Sequence, residues 1–251
     1  MNDIIEIATA DFTTTKSAVE GGADRIELCA ALTEGGTTAS YGTIKRCREA
    51  FGIALFPIIR PRGGDFLYTD DEYNIILSDV RLCRQVQCDG VVIGLLSKNG
   101  SIDIKRTATL VEAAYPLEIT FHRAFDRCKD PFEALEQLIQ LGCHRILTSG
   151  QEATAPQGAR LIAQLVTAAD NRIVIMPGSG VRKENIKELK QMTGATEFHS
   201  SLRSKVKTAM EFLHPGFRHS EDSYTNPAID SQQIKALRES LYEQIENNQN
   251  R

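Results

Sequence analysis

Long apolar runs are missing from this sequence. None approaches the ~20 residues that a membrane-crossing helix requires, so a membrane-embedded chain is not expected. Six cysteines are present (Cys29, Cys47, Cys83, Cys88, Cys128 and Cys143), yet no CxxC pair and no local zinc-ligand spacing. Most of these thiols therefore read as small core hydrophobes. A charge excess of either sign is also missing. Twenty-nine Lys and Arg stand against 33 Asp and Glu, a formal net charge of −4, which argues against a broad nucleic-acid surface but leaves room for a local basic pocket. The turn after the first apolar run reads "ATADF" and has no glycine-rich dinucleotide fingerprint, so no nucleotide cofactor is indicated. The opening "MNDIIEIATADF" has neither the basic n-region nor the apolar h-region of a secretory signal. A cytoplasmic protein with reduced thiols is expected.

What the sequence does contain is alternation. Short apolar runs near Ile4–Ala8, Arg25–Leu28, Ala54–Ile59, Gly90–Ile93, Leu117–Phe121, Arg145–Leu147, Ile173–Met176 and Thr196–Phe198 read as strands, and amphipathic segments lie between them. Thr69 and Glu72 form a capping-box pattern before Tyr73, Ile76, Leu77 and Val80, which share one helical face. In "DPFEALEQLIQLG", Asp130 caps, Pro131 takes the first helical position and Gly142 ends the helix. The even-numbered strands share a form: "GADRIELC", "QCDGVVIG", "GCHRILTSG" and "GATEFHSS". Eight βα units in 251 residues, without a linker, predict a single-domain (β/α)8 TIM-type barrel over residues 1–251. An open doubly wound sheet is the weaker alternative. The last unit is irregular: a connection over about residues 202–227, carrying His214 and His219, precedes a final helix near Asp230–Ile245. It reads as a lid, an interface or a plain surface loop.

In such barrels, ligands meet the carboxyl ends of the strands. The first two ends offer Glu6, Glu27 and Cys29, and the third reads "IIRPRGGDF". Arg60 and Arg62 are two residues apart, so in extended chain both point to one side, with Asp65 or a bound anion between them. Gly63 and Gly64 allow a sharp turn. The fifth end, "TFHRAFD", carries His122, Arg123 and Asp126, and the sixth carries Ser149. The seventh carries Gly178, Ser179 and Gly180, and the eighth carries His199, Ser200 and Ser201. Together with Arg60, Arg62 and Arg123 these ends suit an anion or phosphate site. Glu27, His122 and Asp126 are the candidate acid–base groups. A structural Arg–Asp bridge at Asp65, and an internal ion-pair layer through Glu6 and Glu27, are the structural alternatives. His144 opens the sixth strand on the far face and reads as structural.

The strings "ELCAALTEGGTT", "IRPRGGDFLY", "TFHRAFD", "RILTSG", "MPGSGV" and "ATEFHSS" together resemble the CutC copper homeostasis family, in order from about residue 4 to 203. The resemblance implies a (β/α) barrel, a homodimer or higher homo-oligomer, a cytoplasmic role in copper handling, and Cys29 as a copper ligand. Two functions follow. One is copper homeostasis through Cys29. The other is catalysis on a small anionic or phosphorylated metabolite at a mouth lined by cations and histidines.

Overall fold

The computed structural model describes residues 3–217 and 224–242. Eight parallel strands form the barrel wall: β1 (Ile4–Thr9), β2 (Arg25–Leu28), β3 (Ala54–Pro57), β4 (Gly90–Ile93), β5 (Glu118–Phe121), β6 (Arg145–Thr148), β7 (Val174–Pro177) and β8 (Glu197–Ser200). Seven helices fill the connections between them: α1 (Phe12–Glu20), α2 (Tyr41–Ala50), α3 (Asp70–Gln85), α4 (Ile104–Ala114), α5 (Pro131–Gln140), α6 (Ala159–Ala169) and α7 (Ile186–Thr193). The wall is two four-stranded sheets, ordered β3-β2-β1-β8 and β4-β5-β6-β7. Ile58 bridges to Val92 across the first seam, and β7 lies against β8 at the second. The expected fold class is the one observed.

Local chemistry explains the elements. At α3, Thr69 Oγ1 accepts from the Glu72 amide at 3.2 Å and Glu72 Oε2 accepts from the Thr69 amide at 2.8 Å, a reciprocal cap. At α5, Asp130 Oδ1 accepts from the amides of Phe132 and Glu133, each at 3.0 Å, and Gly142 leaves the helix at φ +79°. The repeat before the even strands also has a structural basis. Asp24, Asp89 and His144 each accept a hydrogen bond from the amide of Ile5, Leu55 and Ile119, at 2.8, 2.8 and 3.0 Å. In these three of the four units a side chain at the foot of an even strand pins the preceding odd strand. His144 is thus structural, as expected.

Side chains alternate across the wall. Ile5, Ile7, Ile26, Leu28, Leu55 and Ile119 pack outward against the helices in one core, whereas Cys29, Phe56, Ile58 and Val92 form a separate cluster inside the barrel. Low in the interior, Arg25 Nε donates to Glu6 Oε2 at 2.5 Å and its Nη2 to Glu197 Oε2 at 2.5 Å. Arg145 donates to the same Glu197 oxygen at 3.1 Å and to Glu118 at 2.9 Å. The Phe56 ring takes both guanidinium groups at 5.2 Å. Gly90 makes this arrangement fit, because a Cβ there would lie 2.1 Å from Phe56 Cε1.

The eighth connection departs from the expectation of weak structure. It contains an antiparallel ribbon of β9 (Arg203–Lys207) and β10 (Thr225–Ile229), followed by α8 (Ser231–Tyr242). Alternating hydrophobicity is faint there because all of β9 is exposed. Residues 218–223, with His219, and the expected end of the last helix beyond Tyr242 lie outside the described residues. No helix among the described residues is long and apolar enough to cross a membrane.

Candidate active site

A cavity of about 460 Å³ opens where the carboxyl ends of the strands converge. Its floor holds Glu27 and His199, and its wall holds Arg60, Phe66, His122, Arg123, Asp126 and Arg127. Arg182, Ser179, Gly180, Ser200, Ser201 and Arg203 complete the rim with Glu34 and Gly35. A second hollow of about 610 Å³ lies beneath the β9–β10 ribbon. It is larger, but its only titratable side chains are Arg203 and Lys205, so the chemistry belongs to the first.

The floor is built on neighbouring strands. Register places Glu6 beside His199 and Glu27 beside Phe56. His199 Nδ1 lies 2.8 Å from Glu6 Oε1, and its Nε2 lies 3.7 Å from Glu27 Oε2. Burial alone raises a carboxylate, but Arg25 and then His199 hold Glu6 down to about 2. Glu6 is thus a fixed anion that orients the imidazole. Burial pushes the Glu27 carboxyl up, and His199 only partly opposes this. Burial pulls His199 down, but the Glu27 and Glu6 carboxylates more than reverse it and leave it above its ordinary value. Glu27 and His199 therefore each bind a proton more readily than in water, and both face the cavity. Two carboxylates with oppositely displaced affinities beside one histidine are suited to proton transfer. Gly178 makes room beneath them: a Cβ would meet Leu147 Cδ1 at 2.4 Å and His199 Cβ at 3.2 Å.

His122 belongs to the wall. Its Nδ1 accepts from the Ala124 amide at 3.1 Å, while its buried Nε2 has no partner among the described residues. Burial and then the Arg60 charge push the ring down to about 3, so it is neutral at pH 7. The backbone of β4 continues beneath it as Gly94, where a Cβ would lie 2.2 Å from the ring.

Five arginines line the cavity. Arg123 pairs with Asp126 at 2.7 Å. Arg60 is 4% exposed and donates to the carbonyls of Glu34, Gly36 and Gly64 at 2.8, 2.8 and 3.0 Å. Its Nε has no partner among the described residues. Arg182 donates to Val181 O at 2.9 Å and Arg203 to Leu32 O at 2.7 Å, while Arg127 lies 5.7 Å over the Phe66 ring. Among the described residues, none of these four has a carboxylate partner, and three of them hold carbonyl oxygens instead. Ser179 and Gly180 adopt φ of +76° and +75°, which bends the β7 loop over the rim. At Gly180 a Cβ would press on Thr154 Cβ at 3.0 Å.

Several expected ligand residues have other work. Arg62 does not emerge beside Arg60. Its side chain is 37% exposed and pairs outward with Glu72 at 2.5 Å and Asp65 at 3.1 Å. The chain bends immediately after Arg60, so the extended-strand rule no longer applies at Arg62, and the Arg–Asp pin anticipated as the structural alternative is what forms. Ser149 is fully buried: its hydroxyl accepts from Arg123 Nη2 at 2.8 Å and has its single proton between Glu152 O at 2.5 Å and Asp126 Oδ2 at 3.0 Å. Asp126 touches the cavity, but its oxygens accept from Thr148 Oγ1, the Ser149 and Gln151 amides, Ser149 Oγ and Arg123 Nε. It clamps the fifth strand end to the sixth and has little capacity left to act as a base. Ser179 and Ser200 donate their hydroxyl protons to Ala153 O and Val181 O. Gly178 supports His199 and does not line the cavity.

Cys29 is fully buried in the interior cluster with Phe56, Ile58 and Val92, its thiol 3.5 Å from Glu27 Oε2. Burial and that carboxylate push the thiol well up, toward the protonated form. Cu(I) takes thiolates. Among the described residues no group of three or more His, Cys, Asp or Glu side chains is placed to hold a metal ion. The Cys29 thiol is thus held away from the thiolate form that Cu(I) takes. All six cysteines are free and buried.

Arg127, Arg182, Arg203, Glu34 and Phe66 were not anticipated. The three arginines each follow a strand-end motif directly, Arg127 after "FHRAFD", Arg182 after "PGSGV" and Arg203 after "FHSSL", whereas Glu34 and Phe66 lie within the strings "ELCAALTEGGTT" and "IIRPRGGDF". Following each loop for one further turn would have found the arginines.

The CutC family model matches residues 3–204. A family protein CutC of Parabacteroides distasonis is 54% identical over 213 residues, covering 84% of this chain and 88% of the relative. One from Chromobacterium violaceum is 46% identical over 244 residues, 96% of this chain and 99% of the relative. A crystal structure of CutC from Streptococcus agalactiae, described there as a candidate copper homeostasis protein, superposes with a TM-score of 0.75 at 35% identity, over 78% of this chain and 97% of that one. Phosphoribosylanthranilate isomerase from Thermotoga maritima superposes at 0.58 with 12% identity, over 96% of this chain and 98% of that one, a likeness of fold alone.

Proposed function

The chain belongs to the CutC family, and on that premise we propose that it is a barrel enzyme acting on a small phosphorylated metabolite. The observation that carries this reading is the set of four cavity arginines, Arg60, Arg127, Arg182 and Arg203, with no carboxylate partner among the described residues. Like charges confined to one cavity repel, and a multiply charged anion relieves that repulsion. A buried guanidinium with a spare Nε, such as Arg60, gains most. A volume of about 460 Å³ suits a metabolite of a few carbons with one phosphate. Beneath the anion, Glu27 and His199 move protons, Glu6 positions His199, and Arg25 holds Glu6. The six free thiols suit a reducing compartment such as the cytoplasm.

The copper reading comes from the family's name and rests on Cys29, a buried thiol biased against ionisation. The side chains favour an anion, and the two readings predict opposite results. A thermal-shift screen of phosphorylated metabolites should give a stabiliser. At a hundred-fold excess over Kd this adds about 2.7 kcal/mol, or roughly 5–10 °C in Tm for a chain of this size. Arg60→Ala and Arg182→Ala should each reduce the shift. Stoichiometric anaerobic Cu(I) uptake that Cys29→Ala abolishes and Arg60→Ala leaves intact, with no phosphate ester stabilising the wild type, would sink the proposal.

A further inference from the structure

We propose, resting on the anion reading above, that His122 is a neutral hydrogen-bond donor to a substrate carbonyl oxygen, so that the metabolite is a phosphorylated aldehyde or ketone and the reaction is proton transfer at the carbon beside that carbonyl. The tautomer follows from geometry. Nδ1 accepts the Ala124 N–H, so the single proton of a neutral ring sits on Nε2. That N–H is buried and unpartnered among the described residues, on a side chain that lines the cavity. A buried donor left without an acceptor is costly, and a ligand oxygen supplies one. Gly94, Phe66 at 4.9 Å and Phe121 at 6.1 Å fix the ring plane.

A phosphate does not need this group, because arginines serve it better. A carbonyl becoming an oxyanion does, because a fixed, weakly acidic N–H strengthens its bond as charge develops. Glu27 supplies the base. Its carboxylate takes the proton from the carbon adjacent to the carbonyl, and the C–H electron pair becomes the C=C bond of an enediolate. The C=O π pair moves to oxygen, where His122 Nε2–H donates to it. Protonated Glu27 then returns the proton to the neighbouring carbon, and the displaced hydroxyl proton passes to the first oxygen. Atoms and electrons balance as an isomerisation, and no oxidant or reductant is required.

The test uses the full-length protein in D2O with dihydroxyacetone phosphate, erythrose 4-phosphate and ribose 5-phosphate as probes, and ¹H NMR of the hydrogen beside the carbonyl. Deuterium should wash into at least one probe faster than in buffer. His122→Leu should slow that exchange by about 100-fold or more while leaving the thermal shift given by inorganic phosphate within about twofold, and Glu27→Gln should abolish it. In the wild type, ¹⁵N NMR should show His122 as the Nε2–H tautomer from pH 5 to 8, a readout that stands even if the Leu variant folds poorly. An imidazolium at pH 6, or arginine-dependent phosphate binding with no exchange in any probe, overturns the carbonyl assignment and leaves the anion site standing. No binding of any phosphate ester overturns both.

Discussion

Substituting Gly94 by alanine should damage the site without touching a ligand. Gly94 does not sit in the left-handed region, so alanine meets no backbone strain there. The conflict is with the neighbouring strand. The new methyl would lie 2.2 Å from His122 Cε1, 2.3 Å from Nδ1 and 3.0 Å from Ala124 Cβ. The ring cannot simply slide away, because Phe66 packs on it at 4.9 Å. Overpacking of this kind costs ~1–3 kcal/mol. Losing the Ala124–Nδ1 bond and stranding that amide costs a further ~1–3 kcal/mol. The two overlap, so the net loss is about 2–5 kcal/mol, or roughly 5–15 °C in Tm for a domain of this size. Gly90→Ala is the matched control. Its methyl would strike Phe56 at 2.1 Å, with comparable loss of stability, but leaves the His122 resonances where they are. Thermal melts of both variants, with ¹⁵N spectra of His122, separate the effects. The double variant Gly94→Ala/His122→Ala should be at least ~1 kcal/mol more stable than the sum of the singles. A Gly94→Ala protein within ~0.5 kcal/mol of wild type, its His122 spectrum unmoved, would refute the packing argument.

Stability should fall on acidification in two overlapping steps. His122 is held down to about 3 against an ordinary 6.5, and Glu6 to about 2 against 4.5. In both intervals the unfolded chain binds more protons, so these contributions are intact above pH 6.5 and are lost between 6.5 and 3, and between 4.5 and 2. His122→Leu should flatten the upper step in a series of melts against pH. His199 behaves oppositely: its contribution is full below 6.5 and is lost as pH rises through its elevated value. Glu27→Gln should lower the His199 midpoint by NMR titration. Arg25→Met removes the cation shared by Glu6 and Glu197, leaving them only His199 and Arg145, and should cost about 3–5 kcal/mol or leave no soluble protein. Asp126→Asn should lower Tm by several degrees while phosphate-ester binding persists, and complete loss of deuterium exchange with an unchanged Tm would contradict its role as a clamp.

The barrel was legible in the sequence because its signal is periodic and repeated. Eight apolar runs at regular spacing, each bounded by a cap or a glycine, leave few other ways to close a sheet. Even the "GAD", "QCD" and "GCH" resemblance among the even strands marked a physical device, the side chains of Asp24, Asp89 and His144 that pin the preceding strand. Of the expected residues, Glu27 and His199 lie on strands and Arg60 and His122 lie just beyond them, and all four line the cavity. Others turn away from it once the chain has left the pleat. Arg62 and Ser149 illustrate this. Both sit at strand ends, and both turn to partners, Glu72 and Asp126, that only the loop path brings near. The inverse error hid Arg127, Arg182 and Arg203, which lie beyond the strand ends and still line the mouth.

The ion layer at the foot of the barrel does more than fill it. Arg25 and Arg145 face Glu6, Glu197 and the half-exposed Glu118. Arg25 satisfies Glu6 through one oxygen, which leaves the other free to hold His199 Nδ1. Without that cation, burial would drive Glu6 toward its neutral form, and a neutral Glu6 would no longer support a protonated His199. The proton would then rest on Glu27 alone, and the cavity would lose one of its two proton carriers. The lower layer therefore sets the charge state of the upper one through a single carboxylate. Arg25→Gln also removes a positive charge that itself opposes protonation of His199, so a fall in the His199 titration midpoint requires that loss of the Glu6 charge outweigh it. A midpoint at or above the wild-type value would mean that Glu6 holds its charge without help from below.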